Sequence, residues 1–145
     1  MAALIADRLT LSRTGGVRSL PVKGGVKVFC GAMVVGDVNG MAEPGYVAAG
    51  LVALGVSDGA ADNSSGPDGA LVIPVRTGIW LMDNGIGADA VTPALRGHHC
   101  YILDDHTVAA VDGSNATANP AVPASRSIAG IVYDVDASGV WVEFR

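Results

Sequence analysis

The chain has 145 residues, of which 50% are hydrophobic and only 16% are charged, and its formal net charge at pH 7 is −5. An ordinary soluble domain carries roughly 25% charged residues, so we expect leftover apolar surface that other copies of the chain or a larger assembly would cover. A negative net charge without a basic run argues against a nucleic-acid partner, because phosphate binding needs clustered positive charge.

The N-terminal segment, residues 1–16, is predicted to form an arm or a short strand. Its start, MAALIA, lacks a basic leader and is followed at once by Asp7 and Arg8, which is not typical of a secretory signal. Leu9-Thr10-Leu11-Ser12 alternates as a strand does, and Gly15-Gly16 breaks the pattern. The longest apolar run, residues 46–56, is too short and too rich in glycine to span a bilayer, so we expect no membrane partner.

Residues 17–145 are predicted to form a single β domain. Lys23-Gly24-Gly25 is predicted as a hairpin turn, and residues 46–56, which contain Gly50 and Gly55, as a strand with a close-packed glycine. A hairpin is also predicted around residues 136–139. The predicted strands cover residues 17–22, 26–29, 33–35, 46–56, two pieces within 71–82, 98–103, 107–111, 128–135 and 140–144, and residues 41–44 are expected to lead into the strand that follows them.

The stretch from residue 71 to residue 105 predicts a strand, a turn, a strand, a single helical turn and a strand. From Leu71 to Leu81, every second side chain would lie on one apolar-to-neutral face. Thr92 is placed to cap the helical turn, Pro93 to begin it and Gly97 to end it.

Many short strands, glycine-rich turns and almost no helical periodicity predict an all-β fold. We expect a small β-barrel or β-sandwich of short antiparallel strands, with one short helical turn near Thr92–Leu95. Two polar loops, residues 58–69 and 112–125, interrupt the strands. They are long for a compact domain, so we expect them to be mobile or to be ordered by something outside the domain.

Side chains that can bind a metal concentrate at residues 98–100 (HHC) and 104–106 (DDH). A zinc site needs four converging ligands, and no second ligand pair at a recognisable spacing accompanies this cluster. The sequence also lacks a G-x-S-x-G elbow and a phosphate-binding loop. We therefore predict no metal, no cofactor and no catalytic residue, and hence no enzyme.

The two cysteines, Cys30 and Cys100, are too few for a disulfide framework. We predict two buried or half-buried free thiols, because unpaired cysteine behaves as a small apolar residue. A Cys30–Cys100 bridge is the alternative, since the sequence does not place their Cα atoms.

The order of features from residue 17 onward resembles the small capsid cement, or head decoration, proteins of tailed bacteriophages. The similarity lies in short strand pieces and not in a catalytic signature, and it covers neither the segment before Val17 nor the loop from Asp58. The pieces are GAMVVGD at 31–37, AAGLVA at 48–53, RTGIW at 76–80, YILDDHTV at 101–108, IAGIV at 128–132 and VWVEF at 140–144.

The resemblance implies a β-barrel-like structural protein of the virion, made in the host cytoplasm and placed on the outer surface of the capsid. It would bind the major capsid protein across subunit junctions, as a homotrimer, and stabilise the shell against the pressure of packed DNA. Added interface across a junction raises the free energy needed to separate the subunits, and repetition over the shell adds avidity.

The residues that contact a partner are predicted from the type of segment and side chain, and not from the resemblance. Segments without a hydrophobic anchor are often ordered by partners, and buried aromatic side chains dominate protein interfaces. For the tryptophans, covering an end of the barrel is the alternative. The predicted interface residues are Leu9, Leu11 and Arg13 in the N-terminal segment, Asn63 and Asn115 in the long loops, and Trp80 and Trp141.

Two other functions stay open. One is a small ligand- or metal-binding β-barrel that uses the neighbourhood of His98, Cys100, Asp104 and His106. The other is a receptor-binding β domain, which would need a trimeric stalk or a neighbouring domain, and these 145 residues contain neither.

Overall fold

The protein has an all-β fold, as predicted. The structure is a computed structural model and describes residues 15–145. Within them, one five-stranded sheet has the order β1-β7-β5-β3-β4, a closed barrel has the order β10-β8-β12-β11-β9, and β2 pairs with β6. The strands are β1 (Val17–Pro21), β2 (Lys27–Val28), β3 (Met33–Gly36), β4 (Ala42–Pro44), β5 (Val52–Ser57), β6 (Ala61–Asp62), β7 (Val72–Arg76), β8 (Gly78–Asn84), β9 (His99–Ile102), β10 (Thr107–Ala109), β11 (Ile128–Asp136) and β12 (Gly139–Phe144).

One pair of neighbouring strands in the barrel is parallel, which corrects the prediction of antiparallel strands only. Thr107 of β10 lies opposite Asp83 of β8 in a parallel register, whereas the other four pairs of the barrel are antiparallel. The reason is geometric. A closed ring of five strands cannot alternate direction all the way round, so one pair must run the same way.

β3 lies between two apolar cores because its side chains alternate. Met33 and Val35 pack into the barrel core, and Val34 packs into the core of the five-stranded sheet. All four residues of the strand are buried. Other buried members are Met82, Ile102, Val108, Val132, Val140 and Val142 in the barrel core, and Val22, Val28, Ile73 and Val75 in the sheet core.

The chain leaves the five-stranded sheet and enters the barrel at Gly78. In β7 the odd-numbered side chains, such as Ile73, are buried. In β8 the even-numbered Met82 is buried, while Ile79 and Leu81 are exposed. The buried side chains therefore change from odd-numbered to even-numbered ones between the two strands, as the chain passes from the sheet core to the barrel core. Gly78, which lies between them, has a φ of 116°, a value that residues other than glycine rarely adopt.

The hairpin predicted around residues 136–139 forms between β11 and β12. The hairpin predicted at Lys23-Gly24-Gly25 does not form, because β1 pairs with β7 and β2 pairs with β6. The chain turns there, but its backbone bonds reach residues distant in sequence. The Gly25 N–H donates to the Asn63 carbonyl at 2.9 Å.

The strand predicted over residues 46–56 forms only in its second half, as β5. Gly55 is the close-packed glycine expected there, because a Cβ at this position would overlap the carbonyl of Arg76. The first half is a loop that Ser127 holds in place, since the Ser127 hydroxyl donates to the Ala48 carbonyl at 2.7 Å. Side-chain bonds of this kind satisfy backbone groups that have no strand partner.

Two 3₁₀ turns, Gly87–Asp89 and Pro93–Leu95, lie between β8 and β9. The second is the predicted helical turn, and Gly97 follows it with a φ of 81°, as expected of a residue that ends a turn. The predicted capping role of Thr92 is wrong, because its side chain makes no capping hydrogen bond. Neither turn, nor any other helix in residues 15–145, is long and apolar enough to cross a membrane.

Candidate functional site

The outer wall of the barrel carries large apolar side chains on three neighbouring strands, β8, β12 and β11. In one row across these strands, Glu143 lies between Ile79 and Ile131, and in the next row Trp141 lies opposite Leu81. Residues directly opposite on paired strands share a face of the sheet. We name the outward apolar residues the barrel face. They are Ile79, Leu81, Ile131, Tyr133 and Trp141.

The barrel face is open to solvent. Ile79 and Leu81 are exposed, Ile131 and Trp141 are half-buried, and Tyr133 is 59% exposed. A bulge in β11 leaves Tyr133 without a direct partner on β12. The barrel core is filled by side chains of the opposite face, so the barrel face is not needed to complete it.

The two tryptophans have different surroundings. The Trp141 indole N–H donates to Asp136 Oδ2 at 2.9 Å, and this bond lowers the pKa of the Asp136 carboxyl. Trp80 packs against the barrel core, and its indole N–H donates to the Thr77 carbonyl at 3.3 Å. Trp141 thus lies on the outer wall, whereas Trp80 lies at the margin of the core.

A groove of about 510 Å³ runs beside β8. It is lined by residues 79–82 of β8, by residues 56–58 at the end of β5, by Cys30-Gly31 and by Trp141. Four consecutive residues of a strand point alternately to its two faces, so a cavity that touches all four lies along the edge of the strand. We name this cavity the β8 groove.

The loop of residues 58–69 is fixed from inside the protein. Asn63 is 2% exposed, and its side-chain amide donates to the carbonyls of Val22, Lys23 and Pro67 at 3.2, 3.0 and 2.9 Å. A buried amide with this many bonds is structural. The expectation that this loop is mobile or ordered from outside is therefore wrong, and Asn63 is corrected from an interface residue to a buried one.

The loop of residues 112–125 is anchored at its base and exposed at Asn115. Arg126 donates twice to the Asp89 carboxylate, at 2.6 and 3.2 Å, and once to the Val111 carbonyl at 2.9 Å. Asn115 is exposed, and its side-chain oxygen accepts the Thr117 N–H at 3.1 Å. Asn115 is therefore accessible to a partner, as its predicted role requires.

The ligand atoms of Asp104, Asp105 and His106 lie within 4.8 Å of one another. His106 Nδ1 lies 2.7 Å from Asp105 Oδ1 and 3.1 Å from Asp104 Oδ1, and the bond to Asp105 raises the pKa of His106. Asp104 Oδ1 also accepts the N–H groups of His106 and Thr107, at 2.9 and 2.7 Å. These are the bonds of an ordinary turn closed by an aspartate.

Both cysteines are free thiols, as predicted, and no bridge joins them. Cys100 is buried, and burial raises its pKa to about 12. Cys30 is exposed, so the prediction of burial is wrong for this residue. His98 and His99 are also exposed, and β9 begins at His99.

Lys23 and Glu43 form an ion pair whose carboxylate is buried and whose lysine is partly exposed. Glu43 is 5% exposed, and it accepts bonds from Lys23 Nζ at 2.8 Å and from the Tyr46 hydroxyl at 3.1 Å. The bond to Glu43 raises the pKa of Lys23. The pair joins β4 to the turn after β1, and the sequence gives no signal for it because the partners are far apart along the chain.

No protein-family model, curated protein or solved structure matches this chain. Of the predicted interface residues, Trp141 lies on the barrel face. Leu9, Leu11 and Arg13 lie outside the described residues.

Most of the barrel face could not be predicted from the sequence. Alternation in residues 140–144 places Trp141 on the outside, but finding Ile79 and Leu81 beside it requires the register between β8 and β12. Tyr133 depends on a bulge, which no sequence pattern marked. Val38, 95% exposed at the turn between β3 and β4, is a further apolar side chain in solvent that was not predicted.

Proposed function

We propose that this chain is a structural virion protein that decorates the capsid of a tailed bacteriophage. It is made in the host cytoplasm, binds the outer surface as a homotrimer and bridges major capsid subunits. Two independent observations support the proposal: the strand pieces that resemble cement proteins, and an exposed apolar barrel face on a chain with few charges.

The barrel face is the observation that carries the proposal. Removing apolar surface from water is favourable by roughly 0.8 kcal/mol for each buried CH₂ group. Apolar residues rimmed by polar ones mark protein-binding surfaces. Here Glu143 lies within one row of the face, and Arg145 binds its carboxylate at 3.0 Å. We assign the barrel face to the contact with the shell.

The position of the face on strands suits a protein under mechanical load. Ile79, Trp141 and Ile131 lie on β8, β12 and β11 of the closed barrel, and β12 pairs with both of its neighbours. Contacts on paired strands are held more rigidly than contacts on loops. Pressure from packed DNA would therefore act on an interface that does not yield by loop movement.

Sedimentation with expanded shells tests the proposal. Purified protein is mixed with shells built from the major capsid protein of the phage that encodes it, and its mass in solution is measured separately. We expect trimers that sediment with the shells and raise the temperature at which the shells break. A persistent monomer that stays in the supernatant would contradict the proposal.

Charged substitutions locate the contact. Ile79→Lys and Tyr133→Lys place a cation on the barrel face, and we expect about a tenfold or greater loss of shell binding. Val38→Lys is the control, because it changes an apolar side chain that is even more exposed and lies away from the face, at the turn between β3 and β4. It should bind as the unmodified protein does. Equal binding by all three variants would assign the contact to another surface.

A metal-binding barrel is the second candidate, and one observation favours it: the close approach of ligand atoms from Asp104, Asp105 and His106. Metal analysis of the purified protein, with and without a chelator, decides this function. Stoichiometric metal and a lower melting temperature after chelation would support it. Their absence would remove it.

A further inference from the structure

The sequence contains two Asn-Gly pairs, Asn39-Gly40 and Asn84-Gly85. Asparagine is a thermolabile residue, because the backbone nitrogen of the next residue can attack its side-chain amide. Glycine in that next position favours the attack, since it has no side chain to obstruct the approach and leaves the backbone free to bend. The fold places the two pairs in very different surroundings.

Asn84-Gly85 is held firmly at the end of β8. The Asn84 side-chain amide donates to the Val91 carbonyl at 2.8 Å, and its side-chain oxygen accepts the Val91 N–H at 2.8 Å. Gly85 is buried, and its N–H donates to the Val108 carbonyl at 2.9 Å. The side chain and the backbone nitrogen that would have to meet are therefore each held by other groups.

Asn39-Gly40 lies at the turn of the hairpin that joins β3 to β4. Both residues are exposed, and a Cβ at Gly40 would meet nothing within 4 Å, so the space beside the turn is open. The Gly40 N–H donates to the Asp37 carbonyl at 2.9 Å. An exposed turn opens at a much lower free energy than a buried strand end does.

The Asp37 side chain closes this turn. Its Oδ1 accepts the N–H groups of Asn39 and Met41, at 2.8 and 3.0 Å, and its Oδ2 lies 3.6 Å from Lys23 Nζ. The bond from the Met41 N–H lowers the pKa of the Asp37 carboxyl, so the acceptor is ionised at neutral pH. Release of the Gly40 nitrogen requires opening of the turn that this carboxylate holds.

We propose that Asn39 is a site of spontaneous deamidation and that the turn held by Asp37 sets its rate. When the turn opens, the Gly40 nitrogen attacks Cγ of Asn39. The N–Cγ bond forms, the Cγ–Nδ2 bond breaks, and Nδ2 leaves as ammonia with the proton of the Gly40 N–H. Water then opens the resulting succinimide ring at either of its carbonyls, which gives aspartate or isoaspartate.

Both products change the hairpin. Each adds a negative charge beside the Asp37 carboxylate, on a chain whose net charge is already −5. Isoaspartate also lengthens the backbone by a methylene group, at the end of the strand whose side chains pack into both cores. Neither consequence depends on a role in the virion.

Peptide mapping of the full chain by mass spectrometry, during incubation at about pH 8 and about 37 °C, tests the proposal. We expect Asn39 to be converted at least about tenfold faster than Asn84 in the folded protein. In concentrated urea the two rates should become similar, because the sequence pair is the same and the fold is lost. Equal rates in the folded protein would overturn the proposal, and so would a difference that persists in urea.

Two aspartate substitutions test the role of the turn. Asp37→Ala removes the acceptor that holds the turn and should raise the rate at Asn39 about fivefold or more, with the rate at Asn84 unchanged. Asp112→Ala is the matched control, because the Asp112 carboxylate accepts the Ser114 N–H at 2.9 Å in another exposed turn. It should leave both rates unchanged. In Asp37→Ala, an unchanged rate at Asn39 or an equal rise at Asn84 would contradict this role of Asp37.

Isoelectric focusing of the incubated protein gives a second readout. Asn39→Gln should abolish the acidic species that appear first, because the longer side chain would have to form a larger and less favourable ring. Asn115→Gln is the control, since Asn115 is also exposed but is followed by alanine, and it should leave these species in place. Acidic species that persist in Asn39→Gln would assign the reaction to another residue and overturn the proposal.

Discussion

Asn63 holds a loop that has few apolar anchors of its own. Its side-chain amide joins the turn after β1 to the far end of the loop at Pro67, and its own carbonyl accepts the Gly25 N–H. Removal of the amide would leave three interior carbonyls without this donor. An unsatisfied buried polar group costs more than the bond itself contributes.

We therefore expect Asn63→Ala to lower the free energy of unfolding by about 2 to 3 kcal/mol, as measured by urea denaturation. Asn115→Ala is the matched control, since Asn115 is also the first residue of an Asn-x-Ser/Thr triplet but is exposed. Its effect should stay within about 0.5 kcal/mol. Equal losses from the two substitutions would show that the burial of Asn63 does not stabilise the loop.

The stability of the fold should depend on pH through His106. Its bond to Asp105 raises its pKa above the ordinary value of 6.5. A pKa raised in the folded state means that protonation stabilises the fold, so this contribution is full below pH 6.5 and is lost as the pH rises through the folded-state pKa. Asp105→Asn should lower the pKa of His106, followed by NMR titration of the ring protons from about pH 5 to pH 9. An unchanged titration would contradict the assignment.

At the scale of elements, the sequence predicted correctly those features that depend on residues close together in the chain. The hairpin of β11 and β12 was predicted because its strands alternate and a short turn joins them. The turn at Lys23-Gly24-Gly25 was also recognised, but its strands pair elsewhere because Asn63 and Leu71 supply the backbone partners. The change of buried side between β7 and β8 could not be predicted, since an alternating sequence does not show which of its two faces packs on a core.

The two glycines of residues 46–56 should differ in how much their replacement by alanine destabilises the fold. Gly55→Ala should lower the free energy of unfolding by roughly 3 kcal/mol or more, because its Cβ would overlap the Arg76 carbonyl in the neighbouring strand. Gly50 also has a positive φ, of 82°, but nothing lies within 4 Å of a Cβ there. Gly50→Ala should therefore cost only about 1 kcal/mol. Thermal or urea unfolding compares the two, and equal costs would contradict the close packing of Gly55.

At the scale of the whole molecule, composition predicted that apolar surface would be left over, but not where it lies. The barrel face arises only when β8, β12 and β11 are brought side by side, so it depends on pairing between residues about 60 apart in the chain. Asn63 shows the opposite error. Its polar loop indicated an exposed side chain, but the side chain is buried and donates hydrogen bonds to carbonyls that are distant in sequence. Contacts between residues far apart in the chain therefore determine both where the apolar surface lies and that Asn63 is buried.

Low-resolution electron cryomicroscopy of shells saturated with the protein tests the capsid role most directly. We predict threefold density on the outer surface at the junctions between major capsid subunits, into which the barrel fits with Ile79 and Trp141 turned toward the shell. Shells without added density, or density in which the barrel face is turned to solvent, would contradict the role proposed for this surface.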